Sequence, residues 1–349
     1  MRVSDIDTPA IIVDLDIVER NLRKWQEYCD QYGIANRPHI KTHKLVELTR
    51  RQLELGAVGI TCQKIGEAEV MAEVADDILI TYNIVGRAKL QRLVNLARKV
   101  RLSVTADHPS VVKGLSEAMR NETQPLSVLV ECDTGFGRCG VQAPTQALDL
   151  ARQIADSPGL QFGGLMTYPT SIPQGTDFMS EAVRLIQQAG LPVPVVSGGG
   201  TPQMWEAHKA KIFNEHRAGT YVYNDRHTVE TKAARPDDCA LRVLATVASR
   251  PTPHRAILDA GSKALSSDLF GLSGYGMVLG YPQVNIVRLS EEHGVAESAD
   301  GPLNWEIGQR VEIIPNHVCP VSNLFDQVHV IRQDRVETIW NVAARGRLP

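Results

Sequence analysis

Short β-rich runs alternate with amphipathic stretches along the first two thirds of the chain. The runs, rich in Val, Ile and Leu, lie at 37–41, 58–62, 78–83, 101–105, 126–132, 160–166, 193–197 and 212–223. The stretches between them repeat apolar residues every three to four positions, as one face of a helix does, and include 66–75, 88–99, 145–155, 180–190 and 201–209. Eight strand–helix alternations predict an α/β fold, a closed (β/α)8 barrel of the TIM type rather than an open sheet.

The pattern changes after residue 225, where extended runs are separated by Gly, Pro, Asp and Glu. These runs lie at 240–248, 255–259, 284–289, 310–314, 328–331 and 336–339. They are typical of an all-β domain. We therefore predict a barrel over residues 10–235 and a β domain over 236–349. The early apolar run at 10–14 precedes the first barrel strand, and residues 1–15 can join the β domain.

Composition favours a protein that acts on small molecules. The chain has 349 residues, is 43% hydrophobic and has a net charge of -3 with dispersed Lys and Arg, so it has neither the basic stripe of a nucleic-acid binder nor a polybasic membrane tail. No apolar stretch approaches the roughly 20 residues that span a bilayer, and Met1–Asp5 lacks a signal core. The six cysteines form no CxxC pair, which indicates reduced thiols. We expect a cytoplasmic protein.

Lys41 is the first candidate for chemistry. It ends the first predicted strand, because Pro38 favours extended geometry and the apolar positions after Lys44 suit a helix. Loops that follow barrel strands carry the catalytic groups of such enzymes. Lys41 is thus a candidate Schiff-base lysine, with a solvated surface lysine as the alternative.

The other predicted strand ends carry further unusual residues. Arg138 lies in a loop with three glycines, Tyr168 follows the sixth strand, and Ser197-Gly198-Gly199-Gly200-Thr201 follows the seventh. Backbone N–H groups of a glycine run can approach an anion closely, and a helix beginning at Thr201 adds its dipole. A lysine and a phosphate cradle at one barrel mouth suit pyridoxal phosphate. A cofactor-free aldolase that binds a sugar phosphate is the alternative.

His317 and Cys319 form a second candidate site. They are two residues apart after an apolar run, so in extended geometry both side chains point the same way. An imidazole and a thiolate suit zinc or a similar divalent ion, and two protein ligands leave coordination positions open for water or a substrate hydroxyl. Ordinary buried packing is the alternative.

Five motifs occur in order along nearly the whole chain: RPHIKTHK, DTGFGRCG, SGGGT, RAGTY and PNHVC. Together they resemble the D-threonine aldolase and D-serine dehydratase family, pyridoxal-phosphate enzymes with the alanine racemase fold. The resemblance implies an N-terminal barrel, a C-terminal β domain and a head-to-tail homodimer in which the partner's β domain completes each active site. It also implies a metal-dependent lyase acting on a small β-hydroxy-D-amino acid.

The resemblance implies roles for individual residues. Lys41 would bind the cofactor, and His317 and Cys319 would bind a divalent metal, zinc or manganese. The phosphate ligands would be Ser197, Gly198, Gly199, Thr201, Gly219 and Thr220, with Tyr221 in the same loop. Arg138 would lie near the pyridine ring, and Tyr168 would line its pocket. His39 and His43 would flank the imine, or each would be a structural histidine.

The resemblance leaves the broken bond open. We favour D-threonine-type retro-aldol cleavage to glycine and an aldehyde, with D-serine or 3-hydroxyaspartate dehydration to a 2-oxo acid and ammonia as the alternative. The His-x-Cys pair resembles the dehydratase branch, whereas Pro320–Asp326 resembles the aldolases. An amino-acid racemase and a noncatalytic pyridoxal-phosphate carrier are alternatives from other classes.

One feature of the sequence departs from the family, and another has no role assigned to it. A histidine is expected after strand six as the aldolase base, but Met166-Thr167-Tyr168-Pro169 has none. His39, His43, His293 or a metal-bound water could take its place. The segment Ser290–Gly294 also resembles the family, and the sequence assigns it no role.

Overall fold

The computed structural model describes residues 1–168 and 172–349. The chain divides into two compact units. The barrel unit comprises Trp25–Lys41, Val46–Gly219 and Arg347–Pro349, and the β unit comprises Met1–Lys24, Thr42–Leu45 and Thr220–Gly346. In the described part of the chain, no helix combines the length and apolar character that crossing a membrane requires.

Strands and helices are numbered in chain order. The strands are β1 Ala10–Asp14, β2 Ala35–Asn36, β3 Ile60–Cys62, β4 Asp77–Ile80, β5 Arg101–Ala106, β6 Leu126–Cys132, β7 Leu160–Thr167, β8 Val195–Gly198, β9 Glu215–His216, β10 Leu241–Thr252, β11 Arg255–Leu258, β12 Met277–Val278, β13 Val284–Leu289, β14 Gly294–Ser298, β15 Arg310–Ile314, β16 Gln327–Arg332 and β17 Arg335–Asn341. The helices are α1 Leu15–Tyr32, α2 Val46–Glu54, α3 Ile65–Met71, α4 Arg87–Ala97, α5 Pro109–Met119, α6 Pro144–Asp156, α7 Ile172–Gln188, α8 Arg226–Glu230, α9 Ser262–Leu265 and α10 Val318–Ser322. Short 3-10 segments lie at Val3–Asp5, Ile40–Thr42, Thr201–Lys209, Thr220–Val222 and Pro236–Asp238.

The barrel unit is built on a parallel sheet in the order β2-β9-β8-β7-β6-β5-β4-β3. An isolated parallel bridge between His39 and Thr61 joins its two edges. The strands are buried almost throughout, as in β6, because helices cover parallel sheets. Helix α6 supplies such a cover with an apolar stripe of Ala147, Leu150, Ala151 and Ile154. The predicted barrel is confirmed.

The first predicted barrel strand lies just before its expected position, and the last is shorter than expected. Residues 37–41 are not a continuous strand: β2 ends at Asn36, and Lys41 lies in the 3-10 turn Ile40–Thr42. Pro38 explains the early end, because it has no N–H to donate to a ladder. The run 212–223 forms only β9, followed by a second 3-10 turn at Thr220–Val222.

The β unit is mostly β, as predicted, with the short helices α8, α9 and α10. Its strand order is β13-β14-β11-β10-β1-β16-β17, and β15 pairs with β10 and β12. Strand β1 lies between β10, to which it is antiparallel, and β16, to which it is parallel. The strands β12 and β14 were absent from the predicted set.

The segment Ser290–Gly294 makes the turn between β13 and β14. The Ser290 N–H donates to the His293 carbonyl, which closes the turn. Its carbonyl groups then accept N–H groups from the first residues of α9, Ser262 and Lys263. The Lys263 amine lies 2.7 Å from a Glu292 carboxylate oxygen. These contacts give the segment a structural function.

Candidate active site

The turn that carries Lys41 is ordered by His39. The Lys41 N–H donates to His39 Nδ1 at 3.4 Å, and His39 Nε2 lies 3.1 Å from Gln63 Oε1. Gln63 uses its own NH2 to donate to the Thr81 carbonyl at 2.9 Å, so its Oε1 accepts and His39 Nε2 carries the proton. The His39 ring therefore holds the lysine turn through a hydrogen bond to its backbone. Its place beside the imine stays a prediction.

His43 lies in the β unit and is fully buried. Its Nδ1 accepts the Leu45 N–H at 3.0 Å, which orders the chain just before α2. Both the burial and this local bond are what a structural histidine needs. A catalytic role for His43 stays a prediction, and the geometry favours the structural alternative.

The glycine turn after β8 packs closely against the side chains of His216 and Phe213. Gly199 has φ +80, and a Cβ built on it would lie 2.0 Å from His216 Nε2. A Cβ on Gly198 would lie 2.6 Å from the Phe213 ring. No side chain fits at either position, so the turn consists of backbone alone. It leads into the 3-10 segment Thr201–Lys209, which replaces the predicted helix and has Pro202 in its first turn.

His216 forms the floor of this turn. It is buried, and desolvation, reinforced by the adjacent Arg217 charge, lowers its pKa to about 3, so the ring is neutral. The Trp25 ring packs edge-on against it, with 4.9 Å between ring centroids. A rigid aromatic support therefore lies under the backbone that is predicted to bind phosphate.

Ser197 uses its hydroxyl inside the barrel. It donates to Glu215 Oε1 at 2.6 Å and accepts a hydrogen bond from the Arg217 guanidinium. Arg217 also donates to the Thr167 carbonyl at 2.6 Å, so it ties the end of β7 to the end of β8. Burial lowers the pKa of Arg217 to about 10, with Glu215 and Glu131 opposing the shift. Phosphate binding by the Ser197 side chain stays a prediction.

Arg138 and Tyr168 lie together in the barrel unit. The Arg138 guanidinium is 5.1 Å from the Phe136 ring centroid and 5.5 Å from that of Tyr168. The loop is held by Asp133, whose carboxylate accepts the N–H groups of Gly135 and Gly137. The Phe136 and Tyr168 rings themselves pack edge to face, with 5.1 Å between centroids, so one planar cation lies over a pair of aromatic rings.

Tyr168 also lies close to the glycine turn. A Cβ on Gly200 would lie 3.1 Å from the Tyr168 ring. Arg138 lines a cavity of about 540 Å³ together with Gln63, Asn83 and Glu131. Burial of Glu131 raises the pKa of its carboxyl group. The barrel unit thus brings predicted cofactor residues together at the carboxyl ends of its strands.

In the β unit, His317 and Cys319 lie at the start of α10. The predicted extended geometry is wrong, because His317 is extended but Cys319 lies in the first helical turn. The pairing itself is present. Burial of His317 disfavours its charged form, but hydrogen bonds to Cys319 and Asp268 outweigh it and raise the pKa to about 9.

Helix α8 anchors the backbone of this pair. The buried Asp225 carboxylate accepts the Thr228 N–H at 2.9 Å and the Val318 N–H at 3.1 Å. The Arg226 guanidinium donates to Asn316 Oδ1 at 3.2 Å. Main-chain and side-chain bonds therefore set the position of the segment on both sides of His317.

Two hydroxyl groups approach the Cys319 thiol. Thr42 Oγ1 is 3.3 Å from Cys319 Sγ, and Thr220 Oγ1 is 3.9 Å from it. Tyr221 follows Thr220 in the same 3-10 turn and is buried. Gly219, just before this turn, is the last residue of the barrel-unit range Val46–Gly219. Thr220 was predicted to bind phosphate, and that role stays a prediction.

Within residues 1–168 and 172–349, no group of three or more His, Cys, Asp or Glu could hold a metal ion. Metal binding by His317 and Cys319 stays a prediction. An imidazole hydrogen-bonded to a thiol is a donor pair that suits a borderline-soft divalent ion.

The fold agrees with comparisons to known proteins. Residues 13–227 match the family described as "Alanine racemase, N-terminal domain", and residues 240–331 match the "Putative serine dehydratase domain". The chain is 36% identical to a D-threonine aldolase from an Arthrobacter species, over 98% of this chain and 93% of that protein.

Two solved structures are similar over the whole chain. The crystal structure of D-threonine aldolase from Filomicrobium marinum has a TM-score of 0.92 and 33% identity, covering 99% of this chain and 97% of the other. A cysteine-to-alanine mutant of D-threo-3-hydroxyaspartate dehydratase in the metal-free form has a TM-score of 0.89 and 30% identity, covering 98% of both chains.

Proposed function

Because the chain belongs to the D-threonine aldolase and D-serine dehydratase family of pyridoxal-phosphate-dependent lyases with the alanine racemase fold, we propose that it cleaves β-hydroxy-D-amino acids. The reaction we favour is D-threonine-type retro-aldol cleavage to glycine and an aldehyde. Similarity to aldolases over nearly the whole chain supports this choice over a racemase or a noncatalytic carrier.

The residues of the barrel unit fit pyridoxal phosphate. When bound, this cofactor supplies an electron sink for bond breaking at the substrate's α-carbon. Lys41 would hold it covalently, Arg138 would lie near its ring, and the glycine turn would hold its phosphate. The fit rests on Gly199, where a Cβ would lie 2.0 Å from His216, so that only backbone lines the turn.

The residues of the β unit fit a divalent metal, for which we propose zinc or manganese. When bound, the metal supplies a Lewis acid for the substrate's β-hydroxyl group. His317 and Cys319 would be its protein ligands and would leave coordination positions open. A thiolate favours the softer zinc ion of the two.

The chain's own residues then have separable tasks. His39 holds the Lys41 turn through the Lys41 N–H, so it positions the lysine. Lys41 Nζ is the group that can exchange a proton with the substrate's α-carbon. The Tyr168 hydroxyl group is the acid–base candidate where a histidine was expected, at the end of β7.

One observation carries the proposal. The Cys319 thiol lies 3.3 Å from the hydroxyl of Thr42, and Thr42 is the residue after Lys41 in the chain. The candidate metal pair thus contacts the residue that follows the candidate cofactor lysine in the sequence. A racemase or a carrier has no use for a metal pair at this place.

Dehydration is the second candidate, favoured by the His-x-Cys pair and by the similarity to the 3-hydroxyaspartate dehydratase. The test is incubation of the protein, supplied with pyridoxal phosphate and zinc or manganese, with D-threonine, D-serine and D-threo-3-hydroxyaspartate. We expect glycine and acetaldehyde from D-threonine. Release of 2-oxobutyrate, pyruvate or oxaloacetate with ammonia would mean that the protein is a dehydratase and not an aldolase.

Two control reactions sharpen this experiment. L-threonine tests the D-stereochemistry, and Lys41→Ala tests whether turnover needs the cofactor lysine. Formation of the opposite enantiomer without cleavage would overturn both lyase reactions. Unchanged turnover after metal removal, with zinc and manganese absent by elemental analysis, would remove the metal from the mechanism.

We also propose a cytoplasmic homodimer with shared active sites. None of the six cysteines is in a disulfide, an arrangement that suits a reducing compartment. Light scattering coupled to size exclusion should give twice the mass of the 38.3 kDa chain. Specific activity that falls on dilution together with the dimer mass would support active sites that take residues from both chains.

A further inference from the structure

We propose that Asp268 is a positioning residue for the metal site, which fixes the His317 ring with Nδ1 protonated and Nε2 directed to the metal, while Phe270 holds the plane of the ring. This inference rests on the proposed metal-assisted function and deepens it. It concerns two residues, Asp268 and Phe270, that the sequence motifs do not include.

The Asp268 carboxylate has both oxygens engaged. Its Oδ2 lies 2.8 Å from His317 Nδ1, and its Oδ1 accepts the Phe270 N–H at 3.0 Å. The Asp268 N–H in turn donates to Ser266 Oγ at 3.2 Å. The loop therefore presents one carboxylate oxygen to one nitrogen of the imidazole. Since a carboxylate only accepts hydrogen bonds, Nδ1 must carry the proton.

Phe270 packs directly on the same ring. The Phe270 ring centroid is 4.1 Å from that of His317, with 9° between the planes. The His227 ring contacts Phe270 as well, with 4.0 Å between centroids and 43° between the planes. The face of the His317 imidazole is thus covered by a parallel aromatic ring. Rotation of the imidazole about its χ2 bond would break this stacking and the bond to Asp268 together.

The backbone of this loop is strained. Phe270 has φ +49, a left-handed conformation that is uncommon for a bulky residue. Such conformations are unfavourable and persist where surrounding contacts over-determine them. Here the Phe270 N–H bond to Asp268 and the stacking on His317 supply those contacts. The contacts that hold Phe270 in this conformation are therefore the same ones that orient the His317 ring.

A histidine that binds a metal must offer the lone pair of one nitrogen. Ligating histidines donate their other N–H to a carboxylate or carbonyl, which fixes the tautomer and increases ligand basicity. With Nδ1 engaged by Asp268, the nitrogen that remains is Nε2. Loss of such a partner typically costs 10–100-fold in metal affinity.

An ordinary half-exposed ion pair is the alternative explanation. The side chains of His317 and Asp268 are 21% and 42% exposed, and ion pairs this exposed add little to folding stability. An ion pair of that kind would not change metal affinity. Metal binding and unfolding therefore separate the two explanations.

The experiment measures metal affinity directly. Metal-free protein is titrated with Zn²⁺ against a chromophoric chelator, and Co²⁺ is added in parallel so that its absorption reports the coordination. We expect Asp268→Ala to weaken Zn²⁺ binding about 10–100-fold. Asp268→Asn, whose amide oxygen still accepts the N–H but carries no charge, should give an intermediate loss. The Co²⁺ bands should change in Asp268→Ala.

Asp326→Ala is the matched control. Asp326 lies in the same unit and pairs with Arg345 at 2.9 Å, far more exposed than Asp268 and outside the His317 contacts. Its Zn²⁺ affinity should equal that of the wild type. Phe270→Leu, which keeps the carboxylate but removes the stacking, should weaken binding less than Asp268→Ala and keeps the test valid if the alanine variant unfolds.

Two failures are distinguishable. If the wild-type protein binds neither Zn²⁺ nor Co²⁺ tightly, the metal part of the proposed function is wrong. If the wild type binds tightly and the Asp268 and Phe270 variants bind within twofold of it, the positioning role is overturned. Folding of each variant is checked by circular dichroism.

Discussion

Gly199→Ala gives the sharpest test of the glycine turn. The substitution has two costs. Gly199 has φ +80, where an L-residue loses about 1–2 kcal/mol, and the new Cβ would lie 2.0 Å from His216 Nε2. Overpacking of a tight interior costs typically about 1–3 kcal/mol more. We therefore expect the free energy of unfolding to fall by roughly 2–5 kcal/mol.

Gly190→Ala is the matched control. Gly190 has φ +82 and lies in the same unit, but a Cβ there would meet nothing within 4 Å. It should lose only the backbone cost of about 1–2 kcal/mol. The difference between the two variants isolates the overlap with His216.

A double-mutant cycle with His216→Ala completes the assay. Removing the ring makes room for the Cβ, so Gly199→Ala should cost about 1–3 kcal/mol less in that background. Urea unfolding followed by circular dichroism gives the free energies. Trp25, 4.9 Å from His216, reports local changes by fluorescence. Equal losses for Gly199→Ala and Gly190→Ala, or no coupling to His216, would refute the close packing.

Three further predictions follow from the barrel unit. Lys41→Ala should be colourless after isolation, because the wild type should absorb near ~420 nm through its lysine-bound cofactor; an identical absorption spectrum would contradict the assignment. Arg217→Lys should weaken cofactor affinity and raise the KM of the substrate, because lysine cannot bridge the ends of β7 and β8. The control Arg37→Lys loses only the bonds to Glu215 and Asp77, so it should lower the unfolding free energy without changing cofactor affinity. Equal cofactor affinities in the two variants would argue against the bridge. Glu131 has a raised pKa in the folded protein, so the folded state binds more protons and the unfolding free energy should fall as pH rises through the raised pKa. Unfolding midpoints measured across pH should show this fall in the wild type and not in Glu131→Gln. A fall that persists in Glu131→Gln would reject the assignment.

Much of the fold was predictable because its patterns are local. Alternating apolar runs predict parallel strands and helices, and the change of pattern after residue 225 predicts an all-β domain, which the structure shows as a mostly-β unit with three short helices. The errors lie where a single residue or a short strand decides. Pro38 ends β2 early, and β14, which begins at Gly294, is absent from the predicted strands.

The candidate site was only partly predictable. Lys41 and the glycine turn were found because their residue types are unusual for strand ends. Arg217 was overlooked, although the motif RAGTY contains it, because nothing in a sequence shows that one guanidinium reaches both Ser197 and Thr167. Asp268 and Phe270 carried no signal at all.

The sequence by itself determined the strand–helix alternation, the lysine turn and the pairing of His317 with Cys319, since these depend on residue types and short spacings. Only the tertiary structure decided that His317 is oriented by Asp268, 49 residues away in the chain, and that Gly199 rests on His216. Hydrogen bonds and packing act over a few ångströms in space. Which distant residues come within that range depends on how the whole chain folds, which no local pattern records.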